Sequence, residues 1–178
     1  MPRLSVGQTI DMQNLETINS TFIDIPFKTQ ITHLQFRRFS GCPICTLHLQ
    51  SFVQRHIDLV DRGIHEVAVF HSSKDVLLTY EAITPFAIIA DPNKQLYQQF
   101  GVEKSVASVF HPAALSAAVR GFIKYRFRPS EKFESYFGLP ADFLIDKDGT
   151  VLACNYGKHA DDHWSVDEVI TLASRIHN

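Results

Sequence analysis

Cys42 and Cys45 stand three residues apart in Phe39-Ser40-Gly41-Cys42-Pro43-Ile44-Cys45, a spacing that can carry redox chemistry. Pro43 suits the first position of a helix, because its φ is already helical and the N–H it lacks would be unsatisfied there. Cys42 then falls at the N-cap, where the open N–H groups of the first turn and the positive end of the helix dipole favour thiolate over thiol. Lowering a thiol pKa from about 8.5 to about 7 takes the ionised fraction at neutral pH from a few per cent to half, worth roughly 2 kcal/mol. Helix positions i and i+3 lie about 5 Å apart at Cα, within the span of a disulfide, so the pair can close and reopen without rebuilding the backbone. The N-cap position predicts that Cys42 is the acidic thiol and that Cys45 and Cys154 are not.

Other readings of the same residues stay open. A CxxC can be half of a structural zinc site in a non-catalytic binding module, and His48 lies one turn beyond Cys45, with His159 and His163 at ligand spacing. Against this, structural zinc draws its ligands from two short knuckles, and the segment from Cys45 to His159 is far too long for a finger. A static disulfide fits poorly with three cysteines and no secretion signal. Two inert, buried cysteines are the third reading. The zinc content of freshly purified, reduced protein separates the first of these from redox chemistry.

A helix that carries reactive sulfurs needs a rigid support, and the chain is long enough to build one. With 178 residues, 45% hydrophobic and 20% charged, residues 1–178 are expected to form one domain with a full core. A net charge of -2 argues against a polyanion partner such as nucleic acid. The first twenty residues carry Asp11 and Glu16 without a long apolar run, so neither signal peptide nor membrane span is expected, and the expected address is the cytoplasm.

Residues 1–20 read as an N-terminal arm or short edge element, and Thr21 to Ile25 as a first strand. Ile31, Leu34, Phe36 and Phe39 mark a central strand running into the cysteines. Cys45, Leu49, Phe52, Val53, Ile57 and Val60 then share one helical face, with Gly63 as the stop. Ile64 to Phe70 is a strand, Ser73 caps a helix through Tyr80, Phe86 to Ala90 is a strand, and Asp91-Pro92 opens a helix that Gly101 closes. Residues 102–138 form an insertion of unassigned structure. Within it His111-Pro112 could start a helix with Leu115, Val119, Phe122 and Ile123 beside Arg120, Lys124 and Arg126. Ala141 to Asp146, the turn Asp146-Lys147-Asp148-Gly149, and Val151 to Tyr156 make a hairpin. Ser165 and Glu168 have capping-box spacing ahead of a final helix carrying Val166, Val169, Ile170, Leu172 and Ala173. Strands alternating with helices predict an α/β fold with helices on both faces of the sheet.

A strand entering CxxC at a helix start, crossover units, and a proline-led hairpin before a last helix resemble the thioredoxin fold. Cys42-Pro43 resembles the Cys-Pro of peroxiredoxins. Gly138 to Gly149 is similar to the cis-proline hairpin of the alkyl hydroperoxide reductase and thiol-specific antioxidant (AhpC/TSA) superfamily. The resemblance spans about residues 20–178 and implies a thioredoxin-like mixed central sheet. It implies Cys42 as the attacking thiol, Cys45 as the resolving thiol, and Pro140 as a cis-proline facing them, with the backbone of Leu139 holding an extended substrate.

Peroxiredoxins keep a proline seven residues and a hydroxyl three residues before the attacking cysteine, and here Gln35 and Phe39 stand there. Ser40 and Arg38, or Arg37, are the nearby hydroxyl and cations available instead. The departure predicts slower peroxide cleavage than in typical peroxiredoxins and efficient disulfide exchange, since cleavage needs preorganised hydrogen-bond donors. The function implied is a dithiol/disulfide oxidoreductase that needs no organic cofactor and no metal. Its substrate would be a peroxide or a disulfide, its partner an external reductant of thioredoxin or glutathione class, with a homodimer allowed. His48 reads as a half-exposed surface residue, Cys154 as a buried hydrophobe, and Asp161 to Trp164 as a polar-aromatic cluster that caps and packs.

Overall fold

In the computed structural model, which describes residues 2–80, 83–102, 134 and 138–176, the strand before the cysteines is the axis of the sheet. This is β3, and all six residues of Ile31–Phe36 are buried. With β1 (Gln13–Glu16), β2 (Phe22–Ile25), β4 (Ile64–Phe70), β5 (Ala87–Ala90), β6 (Ala141–Ile145) and β7 (Val151–Tyr156), it makes two sheets. The main one has the order β5-β4-β3-β6-β7 and the other pairs β1 with β2. β3, β4 and β5 are parallel, while β6 and β7 run antiparallel to their neighbours. The sheet is therefore mixed, as the thioredoxin-like reading predicts, and its edges are β5 and β7.

The period-2 alternation of side chains sorts the core into two layers. Leu34 and Phe36 enter one with Val67, Val69, Phe143, Ile145, Tyr97 and Phe100. Ile31 enters the other with Leu49, Phe52, Ala68, Phe70, Leu144 and Val169. Each fully buried side chain of this size contributes about 1.5–3 kcal/mol.

The long helix expected from Cys45 to Val60 is two helices, α1 (Pro43–Gln54) and α2 (His56–Val60). Arg55 at the junction has φ -110° and ψ 20°, and its Nε is tied to Asp58 Oδ2 at 2.8 Å. The expected apolar face fails beyond the break, where Ile57 is 72% and Val60 46% exposed. Among the described residues three more helices follow, α3 (Lys74–Tyr80), α4 (Gln95–Gln99) and α5 (Val166–Ile176).

Caps fix the elements that matter for the site. The Asp91 carboxylate accepts from the N–H groups of Gln95 at 2.9 Å and Leu96 at 2.8 Å. This holds Tyr97 where its hydroxyl donates to the carbonyls of Arg37 and, at 3.0 Å, Val69. Ser165 and Glu168 form a reciprocal capping box, with Ser165 N–H donating to Glu168 Oε2 at 2.7 Å and Glu168 N–H to Ser165 Oγ at 3.3 Å. In the hairpin turn Gly149 has φ +92°, and a Cβ there would lie 2.4 Å from the Ile10 carbonyl oxygen. Only glycine fits. Thus residues of the N-terminal arm are tied to the hairpin, Thr9 bridging Thr150, and β1 lies inside that arm. The basic helix expected at 111–128 lies outside the described residues, as does most of the 102–138 insertion.

Candidate active site

The chain leaves β3 at Phe36 and reaches α1 at Pro43 through Arg37, Arg38, Phe39, Ser40, Gly41 and Cys42. Cys42 is the N-cap of α1, with Pro43 in the first turn and no side-chain cap hydrogen bond. Its sulfur is left for chemistry rather than for capping. Gly41 makes the approach possible with φ +77°. Cys42 and Cys45 are both reduced, 2% and 1% exposed, and share a small cluster with Phe39, Ile44 and Ala160.

Arg38 Nη2 donates to Cys42 Sγ at 2.8 Å, while the Ser40 N–H donates to Ser72 Oγ at 2.8 Å. Ser72 Oγ in turn donates to Glu134. Gly138 passes beside this group, since a Cβ there would be 3.4 Å from His71 Nε2 and 3.5 Å from Arg38 Cγ. The cis peptide among the described residues is Ile25–Pro26, so Leu139–Pro140 is trans, which corrects the expected cis-proline. Pro140 opens β6, and its carbonyl accepts from the Gly157 N–H at 2.9 Å.

The segment after β7 covers the dithiol. At its start Gly157 lies so close that a Cβ would sit 2.6 Å from both Pro140 Cγ and the Asp162 carbonyl oxygen. Ala160 enters the cysteine cluster. Arg37 Nη1 donates to His163 Nδ1 at 3.1 Å, which places the proton of that neutral imidazole on Nε2 because a guanidinium cannot accept. The Asp161 to Trp164 cluster is thereby part of the site. His48 is half-buried and stacks on His163 with ring centroids 4.5 Å apart, rather than pointing to solvent. Cys154 packs in the layer on the other side of the sheet, with Leu34, Phe36 and Phe143. Among the described residues no group of three or more His, Cys, Asp or Glu is gathered as metal ligands, so the zinc reading finds no support in this geometry. A groove of about 430 Å³ lined by Leu15, Lys74, Asp91 and Leu96 lies away from the cysteines.

A strand-to-helix junction with a cysteine N-cap and a neighbouring arginine is what a family comparison must account for, and the AhpC/TSA family pattern matches residues 8–154. The chain belongs to the AhpC/TSA family. Comparison with curated proteins gives no match. The peroxidoxin BcpB of Mycobacterium tuberculosis is similar in structure, with TM-score 0.72 and 15% identity over 99% of this chain and 100% of that one. AhpC of Mycobacterium bovis has TM-score 0.69 and 14% identity over 100% and 95%. A protein described as the thiol:disulfide interchange protein DsbE of Chlorobium tepidum has TM-score 0.62 and 19% identity over 96% and 99%. At these identities the likeness concerns the fold. None of the described helices of this AhpC/TSA protein is long and apolar enough to cross a membrane.

The two thiols of this AhpC/TSA site titrate as a pair. The hydrogen bond from Cys42, with Arg38 and Arg37 behind it, lowers Cys45 to about 5 against the penalty of burial. Burial, the hydrogen bond to Cys45 and the charge on it raise Cys42 well above the usual thiol range, against the pull of Arg38. The two thiols are thus pushed in opposite directions, Cys45 down and Cys42 up, the reverse of the N-cap expectation. The dipole of α1 is one weak effect, of about 0.3–1 kcal/mol at exposed sites, against the burial of Cys42 and its hydrogen bond to Cys45. Burial and Arg37 keep His48 and His163 well below the usual imidazole range, so both are neutral. The ultraviolet absorbance of the thiolate is expected to hold from neutral into mildly acidic pH and fall as pH drops through about 5. A midpoint near the unperturbed value of about 8.5 would contradict the pairing.

Proposed function

We propose that the chain is a thiol peroxidase for small peroxides, working through the Cys42–Cys45 dithiol. The observation that carries the reading is Cys42, a residue 2% exposed, with Arg38 Nη2 at 2.8 Å from its sulfur. A cation on the sulfur is what a developing anionic leaving oxygen needs. Burial this complete disfavours a bulky protein disulfide, which would require the covering segment to move, more than a molecule the size of hydrogen peroxide. This reverses the preference that Gln35 and Phe39 suggest, because Arg38 supplies at the sulfur a donor that the spacing of those two residues lacks.

In the first step Cys42 passes its proton to the Cys45 thiolate and its own thiolate attacks the terminal oxygen of ROOH. The O–O bond breaks, Cys42 becomes the sulfenic acid, and the departing RO⁻ takes the proton from Cys45 to leave as ROH. Cys45, again a thiolate, attacks the Cys42 sulfur and displaces hydroxide, which takes a proton from solvent and leaves as water. The balance is dithiol monoanion plus ROOH plus H⁺ giving disulfide, ROH and H₂O. An external dithiol or glutathione-class thiol returns the two electrons, and the cytoplasm would supply such reductants. Leu139 and Pro140, on the strand-opening segment beside Gly138, and Ser40, held to Ser72, would shape the approach.

Stopped-flow oxidation of the reduced protein by hydrogen peroxide and by a protein disulfide, side by side, tests this. Peroxide is expected to react faster by about tenfold or more, on the order of 1.4 kcal/mol in barrier. Faster reaction with the disulfide would replace the peroxidase reading with thiol-disulfide exchange.

A further inference from the structure

The sulfurs are covered by a piece of chain that the sulfur chemistry above does not use. After β7, residues 157–164 form a short irregular loop whose two ends are tied to the start of β6. At one end the Gly157 N–H donates to the Pro140 carbonyl at 2.9 Å, and at the other the Trp164 N–H donates to Asp142 Oδ2 at 3.2 Å. Between them the Asp162 N–H donates to the His159 carbonyl at 3.1 Å, and Asp162 Oδ2 accepts from the Lys158 N–H at 2.8 Å. Arg37 Nη1 adds a tie to His163 Nδ1 at 3.1 Å. A loop with its ends close together, closed by its own groups, is a compact unit of a kind that often carries function.

Gly157 and Ala160 are the buried residues of this loop. A Cβ on Gly157 would lie 2.6 Å from both Pro140 Cγ and the Asp162 carbonyl oxygen, so the base of the loop lies flush against β6 only with glycine there. Ala160, 0% exposed, packs in one cluster with Cys42, Cys45, Phe39 and Ile44. Phe39 and Ile44 belong to the same turn and helix as the cysteines. Among the described residues, Ala160 is the one member of the cluster that a distant part of the chain supplies. Moving Phe39 or Ile44 would rebuild the turn that fixes Cys42, whereas moving Ala160 only displaces the loop.

We infer that the loop from Gly157 to Trp164 is a size filter over the dithiol, and that Ala160 is the specificity-determining residue that sets its limit. Hydroperoxides with a small R group are favoured over those with an aromatic or long-chain R group, which need the loop displaced. The inference rests on the dithiol reading above and adds a residue to it. Ala160 brings no polar side-chain atom, so it acts on the sulfurs through space filled and not through chemistry.

The test compares alkylation of the reduced dithiol by N-methylmaleimide and by fluorescein maleimide, which react through the same group and differ in bulk. Every protein carries Cys154→Ser, so that Cys42 and Cys45 alone are labelled, and each rate is divided by that of the same reagent with free cysteine. The bulky-to-small ratio then cancels any change in thiol reactivity. In the Cys154→Ser parent the bulky reagent is expected to be slower by about tenfold or more. Gly157→Ala, which forces the base of the loop off Pro140, is expected to recover most of that loss, and Ala160→Gly about threefold of it. Val67→Ala lies in the core layer on the face of the sheet away from α1. It loosens the protein as a whole and is expected to leave the ratio unchanged. A ratio near one in the parent, a ratio left unmoved by either loop variant, or one moved equally by Val67→Ala overturns the inference. Should Gly157→Ala fail to fold by circular dichroism, Ala160→Gly against Val67→Ala decides alone. Peroxide-driven disulfide formation in the unmodified protein reports separately on the peroxidase reading. Its absence with the ratios as expected would remove that reading and leave the filter standing, and its presence with a parent ratio near one would do the reverse.

Discussion

Replacing Cys42 by serine is expected to cut peroxide turnover by about 10³-fold or more, roughly 4 kcal/mol in barrier, and so to background. Serine offers no thiolate, and the Cys45 that remains is 1% exposed and lies one turn deeper in the helix. Cys45→Ser is expected to behave differently. Its Cys42 has lost the sulfur that takes its proton, so oxidation slows, and it stops at a sulfenic acid because no resolving thiol is present. Peroxide consumption with dithiothreitol as reductant gives the rates, and intact-protein mass spectrometry distinguishes the sulfenic acid from the disulfide. Turnover by Cys42→Ser within about tenfold of the unmodified protein, or disulfide formation in Cys45→Ser, would put the nucleophile elsewhere.

The largest loss of stability is expected from His33→Gln. The imidazole stands between Glu66 and Asp142 with no exposed surface. Burial opposes its charge, but Glu66 and Asp142 outweigh burial and raise it to about 9. Removing it leaves two buried carboxylates facing each other, and breaking such a buried set by deleting one partner costs about 3–5 kcal/mol. For a histidine with a raised folded pKa, the stabilisation is complete below the unfolded value of about 6.5 and disappears as pH rises through the folded value. Denaturation midpoints of the two proteins should therefore lie furthest apart near pH about 6 and converge above the folded pKa. The cysteines' own linkage is common to both proteins, so the difference isolates His33. A gap that stays constant across this range would mean that His33 is neutral in the folded state.

Most elements could be located by local rules. Ile64 to Phe70 and Val151 to Tyr156 are strands with the bounds expected, because their apolar patterns and turn residues are local properties. Cys42 at the N-cap follows from Pro43 alone. The break at Arg55 escaped, because Ile57 and Val60 continue the helical period, whereas beyond the break it is Leu59 that enters the core. The trans bond at Pro140 escaped as well, since an X–Pro bond has access to both isomers, trans favoured, and the neighbours that pack on Pro140, Gly157 among them, are distant in sequence.

The sequence by itself determined the strand-and-helix order, the dithiol at the helix start and the resemblance to the AhpC/TSA family, all of which depend on residues close together along the chain. A signal for the buried charge lies in polar residues within largely apolar strands, His33 and Gln35 in ITHLQF, Glu66 in IHEVAVF and Asp142 in ADFLI. Each alone could belong to a strand end or a solvated face. Only the register, which sets His33 opposite Glu66 and Gln35 opposite Asp142, brings the acids and bases together. The tertiary structure likewise decided the direction in which each thiol is pushed, because that depends on burial, on Arg38 and on the cover from Ala160 meeting at the two cysteines. Electrostatic interactions depend on distance through space and on burial, and neither is written in the spacing of residues along a chain.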